Sequence, residues 1–89
     1  MKPKQRLYQS IEYMGLPSEV LGASQIEITD CRQILLSGQK GIRSYSDTEI
    51  VVDLKDCAVS IQGNRLGIVT MTGQELLIRG NLDQVRFLH

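Results

Sequence analysis

Eighty-nine residues with a mass of 10.0 kDa accommodate one domain, not two. Ten Lys and Arg against ten Asp and Glu leave no formal net charge, which argues against nucleic acid as a default partner, because phosphate binding needs an uncompensated cationic surface. A hydrophobic content of 42% with 22% charged residues excludes a disordered chain, and so short a chain leaves little room for a deep catalytic pocket.

The chain opens with the basic stretch Met1-Lys2-Pro3-Lys4, and no apolar run follows it as a signal peptide would require. Leu7, Ile11 and Met14 then fall at i, i+4 and i+7 with Tyr8 beside them, which predicts an amphipathic helix over residues 5–14. Pro3 suits the first turn, Gly15 suits a left-handed C-terminal cap, and Pro17 blocks any continuation. Lys2, Lys4 and Arg6 crowd the end of the helix that its dipole makes positive. That costs a few tenths of a kcal/mol, so the helix is expected to depend on docking to the rest of the chain, to a partner or to a membrane surface. Residues 1–22 form this helical extension and residues 23–89 the main domain.

From Gln25 onward the apolar period becomes two. Ile26 and Ile28, Ile34 and Leu36, Ile42, then Ile50, Val52 and Leu54 alternate with polar or smaller neighbours. The pattern continues through Cys57, Val59 and Ile61, Leu66 and Ile68, Leu76 and Ile78, and Val85 and Phe87. Turn clusters separate these runs at Thr29-Asp30-Cys31, Gly38-Gln39-Lys40-Gly41, Ser46-Asp47-Thr48, Lys55-Asp56, Gly63-Asn64, Thr72-Gly73 and Gly80-Asn81. The expectation is an all-β domain of seven or eight short antiparallel strands, with tight hairpins at links such as Gly63-Asn64. A faint repeat, Ile61-Gln62-Gly63-Asn64 and Ile78-Arg79-Gly80-Asn81, recurs after 17 residues and reads as similarity between hairpins. Gly67 lies in the run 66–71 and marks a bulge or bend.

Leu35, Val51, Val69, Met71 and Leu77 oppose the main apolar set. A single layer of short strands cannot hide both faces. The sheet is therefore expected to curl into a small sandwich or open barrel, to receive the N-terminal helix, or to offer this second face to another subunit. Those five residues, with Leu7, Ile11 and Met14 of the helix, are the contact candidates.

Candidates for chemistry are few. The single histidine, His89, is the last residue, so a nucleophile–base triad has no fixed imidazole. Cys31 and Cys57 lie 26 apart without a CxxC pair; they give no zinc spacing and are expected to be reduced thiols. Asp47, Glu49, Asp53 and Asp56 form the densest carboxylate group, expected to be a solvated face between turns. Gly38-Gln39-Lys40-Gly41 shares only its glycines with a phosphate loop. Arg43, Tyr45 and Arg79 lie in or beside strands and suit protein-interface anchors; in a small barrel they could instead bind nucleic acid or a small ligand. No metal, cofactor or catalytic residue is assigned.

Taken in order, residues 16–87 resemble the YabP/YqfC family of sporulation proteins, and its YqfC branch more closely. Leu16-Pro17-Ser18-Glu19-Val20 looks like the branch's opening Leu-Pro-x-acid-Val, and Ile26-Glu27-Ile28 is similar to its first strand. Gly41-Ile42 with Tyr45-Ser46 resembles its next segment, and Ile50-Val51-Val52 followed by Val59-Ser60-Ile61-Gln62-Gly63-Asn64-Arg65-Leu66 its core. Glu75-Leu76-Leu77-Ile78-Arg79-Gly80 and Val85-Arg86-Phe87 look like its closing segments. Gly38-Gln39 and Ser24-Gln25 depart from the branch, which often has Asn-His and Pro-Arg there. The resemblance implies a small non-enzymatic protein of the mother cell, needed for endospore formation and paired with a larger membrane protein of the YqfD type. The resulting expectation is a cytoplasmic scaffold, free or peripheral to a membrane. It would act through protein contacts as a homo-oligomer with a YqfD-type partner, without nucleic acid or a small-molecule substrate.

Overall fold

A computed structural model describes residues 23–89. The expected helix over residues 5–14, and with it Leu7, Ile11 and Met14, lies outside the described residues. The alternating segments become six strands: β1 (Gln25–Thr29), β2 (Gln33–Ser37), β3 (Gly41–Tyr45), β4 (Glu49–Asp53), β5 (Ala58–Met71) and β6 (Glu75–Leu88). All neighbours are antiparallel, in the order β1-β2-β6-β5-β4-β3.

Two expectations need correction. The strands number six rather than seven or eight, because Gly63-Asn64 and Gly80-Asn81 are not hairpin turns: they lie inside β5 and β6, each 14 residues long. Among the described residues the sheet is also a single open one, with β1 and β3 as its outermost strands, and not a curled sheet, sandwich or barrel. The other turn clusters do connect strands. At the first of them, Thr29 O accepts from the Arg32 N–H at 3.1 Å and Asp30 takes a positive φ of 57°.

The two misread links are facing irregularities of one long hairpin. Gly63 stands opposite Leu82 and Asn64 opposite Asn81, with register shifts on both sides. Each long strand bends there, since an extra residue in a ladder kinks it and increases its twist. The bends require glycine. A methyl group on Gly63 would lie 2.0 Å from the Asn81 carbonyl oxygen. Gly80 has a φ of +154°, and a methyl there would lie 2.7 Å from the Arg65 carbonyl oxygen.

The 17-residue repeat acquires a structural meaning. Strands β1, β2 and the first half of β6 form one three-stranded unit; β3, β4 and the first half of β5 form a second, arranged the same way. In the first, Ile34 and Leu36 face Ile78 and Leu76; in the second, Ile50 and Val52 face Ile61 and Val59. The β1–β2 turn caps the bend of β6, with Gly80 and Leu82 N–H groups donating to Arg32 and Cys31 carbonyls. The β3–β4 turn caps the bend of β5 in the same manner, Gly63 and Leu66 donating to Thr48 and Asp47. The pattern is a quasi-two-fold, with the long hairpin at its centre.

Those eight inward residues, together with Leu66, make one buried cluster to which both units contribute. All but Leu66, at 3%, have no solvent exposure. Bending the central hairpin is what lets the two units share a core without closing the sheet.

Candidate functional site

The five second-face candidates do not form one patch. Leu35 of β2 stands directly opposite Leu77 of β6, and Leu77 is in turn opposite Thr70 of β5. These three, with Gln33 and Glu75, line a shallow depression of about 290 Å³ on the face away from the core. Leu35 and Leu77 are half-buried, as expected for apolar residues on the open side of a single sheet.

Val51 is on the corresponding face of the other unit but is only 7% exposed, between Ser44 of β3 and Ser60 of β5. Val69 sits in the register shift between Ile68 and Thr70 and is exposed without a ladder partner. That shift changes the parity of the strand beyond it. Met71 comes opposite Leu76, and therefore lies on the core's face of the sheet rather than the second one. The misplacement has a simple origin, since one extra residue reverses every later side chain.

Arg43, Tyr45 and Arg79 are not brought together. Arg43 and Tyr45 are on edge strand β3, where Arg43 sits in a bulge and pairs with Asp53. Arg79 is on β6, with β4 and β5 intervening in the sheet, and its Nε donates to Gln33 Oε1 at 3.0 Å. The open sheet thus removes the barrel on which a shared ligand site at these residues depended. Tyr45 is 55% exposed.

The carboxylate group is also divided. Asp53 is committed to Arg43, while Glu49 Oε2 accepts from the fully buried Ser60 hydroxyl at 2.6 Å and from Gln62 Nε2 at 3.5 Å. Ser60→Ala removes the short bond to a charged acceptor, and we expect a loss of about 1–2 kcal/mol in urea unfolding. A loss below about 0.5 kcal/mol would mean that Gln62 alone satisfies the carboxylate. Among the described residues no three His, Cys, Asp or Glu side chains are grouped to hold a metal ion. Cys31 is exposed, Cys57 is half-buried, and both are free thiols.

Besides Ser60, one further polar residue is buried among the described residues. Gln39, in the β2–β3 connection, is 6% exposed, and its Nε2 donates to the Thr72 carbonyl at 3.3 Å. Its neighbour Gly38 donates to Gln74 O at 2.7 Å, so this connection is fastened to the β5–β6 turn. Nothing in a Gly-Gln-Lys-Gly turn signals that its glutamine points inward.

The model of the YabP family matches residues 21–89. The chain belongs to the YabP family. This is a family of sporulation proteins not known as enzymes. No curated protein matches the chain. The YabP-family match spans all six strands, so every irregularity described above falls within the family's domain. Among the described residues no helix is long and apolar enough to cross a membrane.

Proposed function

We propose that this YabP-family domain is a non-enzymatic scaffold of endospore formation, of the YqfC branch. It acts in the mother cell, assembles with itself and docks onto a YqfD-type membrane protein. The observation that carries this reading is the apolar pair Leu35–Leu77, set half-exposed at the floor of a depression on the sheet's outer face. Among the described residues β1 and β3 have no further strand beside them, so their outer backbone groups are open to another chain. The leucines supply apolar area, while Gln33, Thr70 and Glu75 supply a polar rim, the usual layout of a small protein interface.

Leu77→Asp tests the reading, because it puts a charge into that floor while leaving the buried cluster untouched. The expected results are a lower mass in light scattering and loss of co-purification with the YqfD-type protein in mild detergent. The β circular-dichroism signal should be unchanged. Unaltered mass and unaltered co-purification would refute the proposal, and so would a native protein that stays monomeric at high concentration and captures no membrane partner.

A further inference from the structure

The two outermost strands are not alike. β3 is interrupted by a register shift between Ile42 and Ser44, and the residue in that bulge, Arg43, is tied to Asp53. A bulge and a charge on an outer strand are means by which a sheet resists further pairing. β1 has no such interruption. Its five residues run in unbroken register against β2, from Gln25 opposite Ser37 to Thr29 opposite Gln33. Both ends of β1 are fastened. Ser24 Oγ donates to Gly38 O at 2.9 Å and accepts from the Lys55 N–H at 3.1 Å, while the Thr29 carbonyl accepts from the Arg32 N–H. Among the described residues no strand lies on the other side of β1. A regular edge held at both ends accepts a strand without first having to be ordered.

The side chains of β1 define what that strand carries. Ile26 and Ile28 stand opposite Leu36 and Ile34 on the core's face of the sheet. Ile26 packs against the buried cluster, whereas Ile28 is 52% exposed. Glu27, between them, lies on the outer face in one row with Leu35 and Leu77. It is exposed, and among the described residues it has no ion-pair partner. The complement is an extended segment with apolar residues opposite the two isoleucines and a cation opposite the carboxylate.

A second copy of this chain does not meet that requirement. Two β1 strands pair over all five residues in one antiparallel register, and it sets Glu27 against its own counterpart, a like-charge contact that destabilises a sheet. Strand direction alternates across the six strands, so β3 of a copy displaced sideways would run antiparallel to β1. That pairing meets the bulge, and the cation of β3, Arg43, is already taken by Asp53.

We propose that the β1 edge accepts one added strand from a different protein, an extended segment of apolar–basic–apolar pattern whose Lys or Arg pairs with Glu27. The proposal rests on the reading of the domain as one that works through protein contacts. It uses an edge rather than the Leu35–Leu77 depression, so the two are tested separately.

Two end-blocked peptides serve as probes, Thr-Val-Lys-Val-Thr and Thr-Val-Glu-Val-Thr. Each is titrated at low salt into the isotopically labelled full chain, native and carrying Leu77→Asp, and amide shifts are followed by NMR. The lysine peptide is expected to shift the amides of Gln25–Thr29 and not those of Gly41–Tyr45. It should bind at least about threefold more tightly than the glutamate peptide, and the exposed substitution Glu27→Lys should reverse that order. Two forms of the lysine peptide, N-methylated at alternate residues, should differ at least about tenfold, because only one set of N–H groups faces the edge. No binding at peptide concentrations on the order of millimolar overturns the proposal. Equal affinity for the lysine and glutamate peptides, or for the two N-methylated forms, does so as well. A Leu77→Asp chain that stays oligomeric and excludes the peptide from β1 also overturns it, since a second copy is then the occupant. Failure of the peptide to bind leaves the outer-face contact standing, whereas an unchanged mass in Leu77→Asp removes that contact and leaves the edge in place.

Discussion

Gly63→Ala is expected to cost more than about 3 kcal/mol of folding stability, most of what a domain of this size possesses. The added methyl would sit 2.0 Å from the Asn81 carbonyl oxygen, and that obstacle is backbone, not a flexible side chain that can swing aside. Relief requires β5 and β6 to separate where both are bent. The same point is clamped from outside, because the Gly63 N–H donates to Thr48 O at 3.0 Å and the Leu66 N–H to Asp47 O at 2.8 Å. Separation therefore also detaches the β3–β4 turn and lets water into the shared core. Urea unfolding followed by circular dichroism is the measurement. Gly67→Ala is the control, since a methyl there meets nothing within 4 Å, and its effect should stay within about 1 kcal/mol. Equal, small effects at the two positions would show that the hairpin is not bent tightly at Gly63.

Ile78→Ala should lower stability by about 2–5 kcal/mol, the range for truncating a fully buried aliphatic side chain. Ile78 has no exposed surface and sits in the middle of its unit, opposite Ile34 of β2 and Ile68 of β5. The cavity would open between three strands that the hydrogen-bonded ladder keeps from collapsing inward. Ile28→Ala removes the same atoms from edge strand β1, where the side chain is 52% exposed; a loss of about 1 kcal/mol or less is expected. The difference between the two midpoints in urea measures how deeply the sheet's inner face is covered. If Ile28 proved as costly as Ile78, β1 would be packed beneath something other than the six strands.

The quasi-two-fold bears on both predictions. Ile61 is the counterpart of Ile78 and Gly80 that of Gly63, so Ile61→Ala and Gly80→Ala should give losses of the same order. Similar pairs of values would show that the two units contribute alike to the common cluster.

The amino-acid sequence alone determined that this is an antiparallel β domain, and it located all five connections between the six strands. Alternation such as Ile34-Leu35-Leu36 and Ile50-Val51-Val52 forces a period of two, and Asp30, Gly38, Ser46, Lys55 and Thr72 lie where strands reverse. It also carried the ordered set of motifs by which the family resemblance was identified. Tertiary structure alone decided that Gly63-Asn64 and Gly80-Asn81 bend strands instead of ending them. A glycine-asparagine pair satisfies a hairpin turn and a bulge equally well, and only the close approach of the partner backbone distinguishes the two. For the same reason the second face was misdrawn at Met71: the extra residue at Val69 is a property of how two strands pair, which no single strand records. The inward turn of Gln39 belongs to this class as well. It arises where the ends of distant segments meet, and that meeting is a property of packing rather than of any local run of residues.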